Sequence, residues 1–171
     1  PYAVTNPDVS VVEDLAKKKG WTIEQTMEIT KHVTEMASDE GLDYHFEKAV
    51  SANSFNAHRL LQFAKTQEKG DELKEKLLAA YFVEGKNTDD SQTLIDLGVT
   101  VGLDKNEVTK VVNDKQAFAE QVNADIQKAR DLKINGVPYF LMNGEEGVSG
   151  AQSSKTFEKS LEKAYKEWTK Q

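Results

Sequence analysis

Few residues in this chain have the chemistry for a reactive role. It holds three histidines, His32, His45 and His58, and no cysteine. Within these 171 residues that excludes thiolate nucleophiles, disulfides, Cys-ligated zinc and iron–sulfur clusters. His32 has Glu28 four residues before it and Glu35 three after. That spacing allows a casual surface metal contact, but a solvated helix face is the simpler reading. His45, in LDYHFEK, carries no partner signal. No His–His or Glu–His set has metal-site spacing, so no metal is expected. Ser149, in VSG, lacks the first glycine of a G-x-S-x-G elbow. Gly136, Gly144, Gly147 and Gly150 fit neither a P-loop nor a dinucleotide fingerprint, so no cofactor is expected. The pairs Asp89-Asp90 and Glu145-Glu146 read as solvated charge. Arg59 and Arg130 can hold an anion, but read first as partners of neighbours on their own helices.

One short element is harder to set aside. Gly136-Val137-Pro138 places a proline at the mouth of a β-prone stretch, directly after a turn. There the Val137–Pro138 bond can be trans, as at most strand-start prolines, or cis. A cis bond would turn the Val137 N–H and C=O outward, where an extended peptide could pair with them.

The elements that must position these residues are mostly helical. Val9–Lys19 carries Val11, Val12 and Leu15 and stops at Gly20. Thr22 with Gln25 has capping-box spacing and opens a helix whose expected apolar face is Ile23, Met27, Thr30, Val33 and Ala37. A third helix from Asn53 carries Phe55, Leu60, Phe63 and Ala64 and stops at Gly70. The next is expected to be capped by Asp71. Shorter helices follow around Ser91–Leu97 and after Asp104, then a long one from Lys115 to about Lys133. The pattern then changes. Val137–Met142, Asn143-Gly144 and Glu145–Ser149 read as a β-hairpin, and Ser153 or Ser154 caps a last helix through Trp168. A lone two-stranded hairpin is marginal. It is therefore expected to be the exposed part of a sheet whose other strands are not in this stretch, with an edge that invites pairing to another chain.

Composition agrees with a soluble globular chain: 29 Asp+Glu against 22 Lys+Arg give a net charge of −7. That balance disfavours nucleic acid and anionic membranes as partners, and no window is apolar enough for a membrane helix. The start, PYAVTNPDVS, has no basic stretch followed by an apolar one, so it does not read as a signal peptide.

INGVPYFLMNGEEGVSGAQSSKTFEKSLEKAY resembles the C-terminal half of a DsbA-like thioredoxin fold. SANSFNAHRLLQFAK, followed by AAYFVEGKNTDDSQTLIDLGVTVGLD, is similar to the helical insertion of FrnE-type dithiol–disulfide oxidoreductases. That group lies near the 2-hydroxychromene-2-carboxylate isomerases and kappa-class glutathione transferases. The resemblance implies a mostly helical α+β fold: an irregular arm at 1–8, a helical insertion domain at 9–134, and the thioredoxin-fold hairpin and helix at 135–171. The strand–C-x-x-C–helix–strand part of such a fold is not among these residues.

The resemblance also implies site residues. Pro138 matches the family's cis-proline, and Val137 the residue whose backbone meets the substrate. Asn53, Phe55 and His58 match insertion positions facing the cleft, and Ser149 and Gly150 the turn behind the hairpin. They are expected to line a substrate cleft, with no catalytic residue in this chain. The implied function is thiol–disulfide exchange or isomerisation on protein substrates in the cytoplasm, inactive here for want of Cys. Two other readings stand beside it. One is a binding module or homodimer joined through the open hairpin edge. The other is a glutathione-using transferase or isomerase relative.

Overall fold

The computed structural model describes Thr5 and residues 9–170. The arm expected at 1–8 lies outside the described residues apart from Thr5. The chain forms two compact units, Pro1–Asn123 and Ala124–Gln171. The architecture is α+β and mostly helical, with a two-stranded sheet. Among the described residues no helix is long and apolar enough to cross a membrane.

The first unit begins with α1 (Val11–Lys19) and α2 (Ile23–Asp39). Both open on a capping box, Ser10 with Glu13 and Thr22 with Gln25, in which each side chain accepts from the other residue's backbone N–H. Gly20, at φ 69, ends α1. The face expected for α2 is buried only in part, at Thr30 and Ala37. Thr26, Thr30 and Ala37 are buried, whereas Ile23, Met27 and Val33 are exposed. Among the described elements α2 packs against α1 alone, so only its small-residue stripe is covered. The buried threonines keep their hydroxyls satisfied on the preceding turn, Thr26 Oγ1 donating to Thr22 O and Thr30 Oγ1 to Thr26 O.

The core lies in α3 (Phe55–Thr66), α4 (Gly70–Phe82), α5 (Ser91–Thr100) and α6 (Lys105–Asn113). Leu60, Leu73, Leu94 and Val108 are fully buried there, each contributing roughly 1.5–3 kcal/mol by leaving water. α5 and α6 approach closely at Gly98, where a Cβ would sit 3.0 Å from both methyls of Val108. Asp90 caps α5, and Asp104 caps α6 by accepting from the N–H groups of Asn106 and Glu107. The cap expected of Asp71 is absent: α4 starts two residues earlier than that cap would place it, at Gly70 with Lys69 at its N-cap position, and Asp71 joins its first turn.

The long helix expected from Lys115 starts late. α7 spans Ala119–Asp131, because Phe118 adopts a left-handed φ of 59° and interrupts the helical path.

The second unit holds most of α7, then β1 (Tyr139–Met142), β2 (Glu146–Ser149) and α8 (Ser154–Trp168). The strands pair antiparallel, Tyr139 opposite Ser149 and Met142 opposite Glu146. α8 packs on the hairpin, with Phe157 edge-on to Phe140 at 4.8 Å and Val148 buried. On α8 only Ala164 is buried; Leu161, Tyr165 and Trp168 are exposed.

Candidate functional site

The site residues fall into two sets, one in each unit. In the second unit, the Val137–Pro138 peptide is cis. Pro138 O accepts a hydrogen bond from Gly150 N–H at 2.8 Å. That bond ties the mouth of β1 to the end of β2 and brings Pro138, Ser149 and Gly150 together. Gly150 sits at φ 82, a conformation that suits glycine. Gln152 Nε2 donates to Ser149 O at 2.9 Å and fixes the turn into α8. Val137 stands beside this cluster with 89% of its surface exposed. Among the described residues its backbone forms no hydrogen bond, so its N–H and C=O are available to an extended chain.

In the first unit, Asn53, Phe55 and His58 gather at the start of α3. Asn53 Oδ1 accepts from Phe55 N–H at 2.9 Å, so its side chain helps satisfy the N-terminus of α3. Ser54, at the N-cap position, makes no side-chain cap bond. Asn53 N–H donates to Thr5 Oγ1 at 2.8 Å, and Thr5 Oγ1 donates to Asp89 Oδ2 at 2.6 Å. His58, one turn into α3, lines a cavity between α3 and α4.

Behind this loop is a residue whose role the sequence concealed. Arg59 is 1% exposed. Its Nη1 donates to the carbonyls of Val111 (2.8 Å), Asp114 (2.7 Å) and Ala117 (3.0 Å), and its Nη2 to that of Val112 (3.2 Å). Nη2 and Nε also reach Asn56 Oδ1, and Asn56 Nδ2 donates to Asp89 Oδ1 at 3.0 Å. One guanidinium thus gathers the free carbonyls at the end of α6 and the loop that follows. Through Asn56, Asp89 and Thr5, an unbroken set of hydrogen bonds runs from that helix end to Asn53. Burial pulls the Arg59 pKa down from its ordinary value and the Asp114 carboxylate opposes the shift; a guanidinium stays charged at any ordinary pH. Pairing with a neighbour on its own helix holds through Asn56, but most of its donors go to the carbonyls at the α6 end. The signal that could have exposed it is an arginine set among Leu60, Phe63 and Ala64 in an apolar helix.

Three further sequence readings change. Asp89 is not solvated charge but the junction between Asn56 and Thr5, and Asp90 is the cap of α5. Glu146 bonds Lys163 across the second unit, an exposed pair of small energetic weight. His45 has partners: Nδ1 meets Glu47 Oε1 at 2.8 Å and Nε2 meets Asp43 Oδ2 at 3.1 Å. Glu47 is held below the ordinary carboxylate range by its backbone hydrogen bond first and by His45 second. Among the described residues no group of three or more His, Asp or Glu side chains is placed to hold a metal ion.

A hairpin whose proline-led strand packs on a terminal helix is the C-terminal half of a thioredoxin-type fold. The chain belongs to the DSBA-like thioredoxin domain family, which it matches over residues 6–162. It is similar to the crystal structure of a probable DsbA oxidoreductase, SCO1869, from Streptomyces coelicolor. The TM-score is 0.86 at 32% identity, over 95% of this chain and 71% of that one. It is also 27% identical over 164 residues to the uncharacterized protein YwbO of Bacillus subtilis (strain 168), spanning 91% of this chain and 74% of YwbO.

Proposed function

We propose that these residues form the substrate-binding body of a cytoplasmic thiol–disulfide oxidoreductase or isomerase of the FrnE type, whose redox dithiol lies outside the 171 residues. The observation that carries this reading is the exposed backbone of Val137 at the mouth of the hairpin, in a chain of the DSBA-like family. In the reaction, a low-pKa thiolate attacks a substrate disulfide and forms a mixed disulfide, and a second thiol releases the product. The dithiol is oxidised as the substrate disulfide becomes two thiols, or the reverse. No residue here can be that thiolate. The part assigned to this chain is to hold the substrate strand through Val137 while Pro138, Ser149 and Gly150 shape the wall behind it.

Insulin reduction by dithiothreitol tests the reading. The 171 residues alone are expected to run at the buffer blank. The same residues preceded by a strand–C-x-x-C–helix–strand segment are expected to exceed it. A rate above blank from the cysteine-free chain, or none from the extended protein, overturns the proposal.

A second reading rests on the hairpin edge. The Pro138–Gly150 bond and the observed register place the N–H and C=O of Tyr139 and Leu141 on the side of β1 away from β2. A partner strand could add there, which makes the chain a strand-accepting module.

A further inference from the structure

The cavity between α3 and α4 has features the redox reading does not use. It measures about 410 Å³ and lies within the first unit, inside the range of small-molecule pockets. Its walls are aliphatic: Leu61 from α3, with Leu77 and Leu78 from α4. Charge on the lining is of one sign. The chain carries 29 Asp+Glu, yet none of the ten lining residues is acidic, while Lys74 is among them. Lys74 forms no ion pair among the described residues.

Two hydroxyls open onto the same space. Thr88 is 7% exposed and lines the cavity. Among the described residues nothing hydrogen-bonds its side chain, yet no buried side-chain polar atom is left without a partner. Its hydroxyl must therefore meet solvent, and the cavity is the solvent it lines. Tyr81, also on the wall, has no hydrogen bond to its hydroxyl among the described residues. Burial first, and the Asp14 charge second, hold its pKa above the ordinary value, so it stays a neutral donor. Ser54, the N-cap residue of α3, and Ala57, in its first turn, line the same wall and bring the positive end of that helix to it.

The geometry points to a binding site for a small carboxylate with a compact apolar body: aliphatic walls take the body, and Lys74 takes the anionic head. The hydroxyls of Thr88 and Tyr81 supply further donors to a bound oxygen. The inference goes beyond the redox proposal and does not depend on it.

Octanoate is the probe, titrated into the full chain by calorimetry and followed by amide NMR. Saturable binding is expected, with shifts at Leu61, Lys74, Tyr81 and Thr88. The uncharged 1-octanol should bind at least about tenfold more weakly, since a charge-assisted hydrogen bond is worth about 1.5–3 kcal/mol. Lys74→Gln, at an exposed position, should weaken octanoate about tenfold while leaving octanol affinity and the melting temperature unchanged. Thr88→Val should weaken octanoate severalfold. Absence of saturable shifts, equal binding of octanol and octanoate, or a Lys74→Gln variant that binds octanoate as tightly as the parent overturns the inference. Failure of insulin reduction in the extended protein would remove the redox proposal and leave octanoate binding untouched.

Discussion

Arg59→Leu is expected to lose about 3–5 kcal/mol of stability, the range for removing one partner from a buried charged network. The leucine roughly fills the space of the stem but leaves the carbonyls of Val111, Val112, Asp114 and Ala117 without their donor. Each buried carbonyl without a partner costs about 1–3 kcal/mol. The Asp114 carbonyl keeps its bond from the Ala117 N–H; the other three would together cost about 3–9 kcal/mol, and relaxation and water recover part of that. A domain of this size is stable by about 5–15 kcal/mol, so the variant should lie close to its unfolding threshold. Arg59→Lys keeps the charge but replaces a five-donor fork by a compact ammonium, and should recover less than half of the loss. Urea denaturation of the three proteins reads this directly. A shift below about 1 kcal/mol for Arg59→Leu would show that the α6 end is held by something else.

The second large effect concerns association. β1 offers unpaired backbone groups at Tyr139 and Leu141, and Phe140 and Leu141 are more than a third exposed. No proline or lysine interrupts YFLM. Edge strands that remain soluble carry such blocking residues. The 171-residue chain is therefore expected to self-associate at micromolar concentrations, reading twice the 19.1 kDa of one chain or more by light scattering after size exclusion. Leu141→Lys places a charge on the edge and should return it to monomer. A sharp monomer from the parent chain would remove the open edge from the account.

What the sequence made legible was local. Thr22 with Gln25, Asp104 with Glu107, and Ser153 ahead of the last helix are caps spelled within one turn, and all three form. Asn143-Gly144 marked the hairpin for the same reason, and the hairpin brings Pro138 to Gly150. What stayed hidden depends on distant chain. Arg59 bonds carbonyls 52 to 58 residues away, and no spacing rule reaches that far. The late start of α7 follows from the left-handed turn at Phe118, beside the Ala117 carbonyl that Arg59 gathers. The α2 face was read right at Thr30 and Ala37 and wrong at Ile23, Met27 and Val33, because periodicity reports which residues can be buried, while burial needs a neighbour, and among the described elements only α1 packs on that helix. Likewise the cavity joins α3, α4 and Thr88, an arrangement that only tertiary packing assembles.

We propose above that a dithiol outside these residues completes a thiol–disulfide oxidoreductase. The most direct test of that proposal is the intact mass of the protein isolated from its own cells, reduced, with and without a thiol-alkylating reagent. The account expects a mass above the 19.1 kDa of this chain and uptake of label on cysteine. A mass of 19.1 kDa with no label would contradict it, and the function would then have to lie in what binds the open edge of β1.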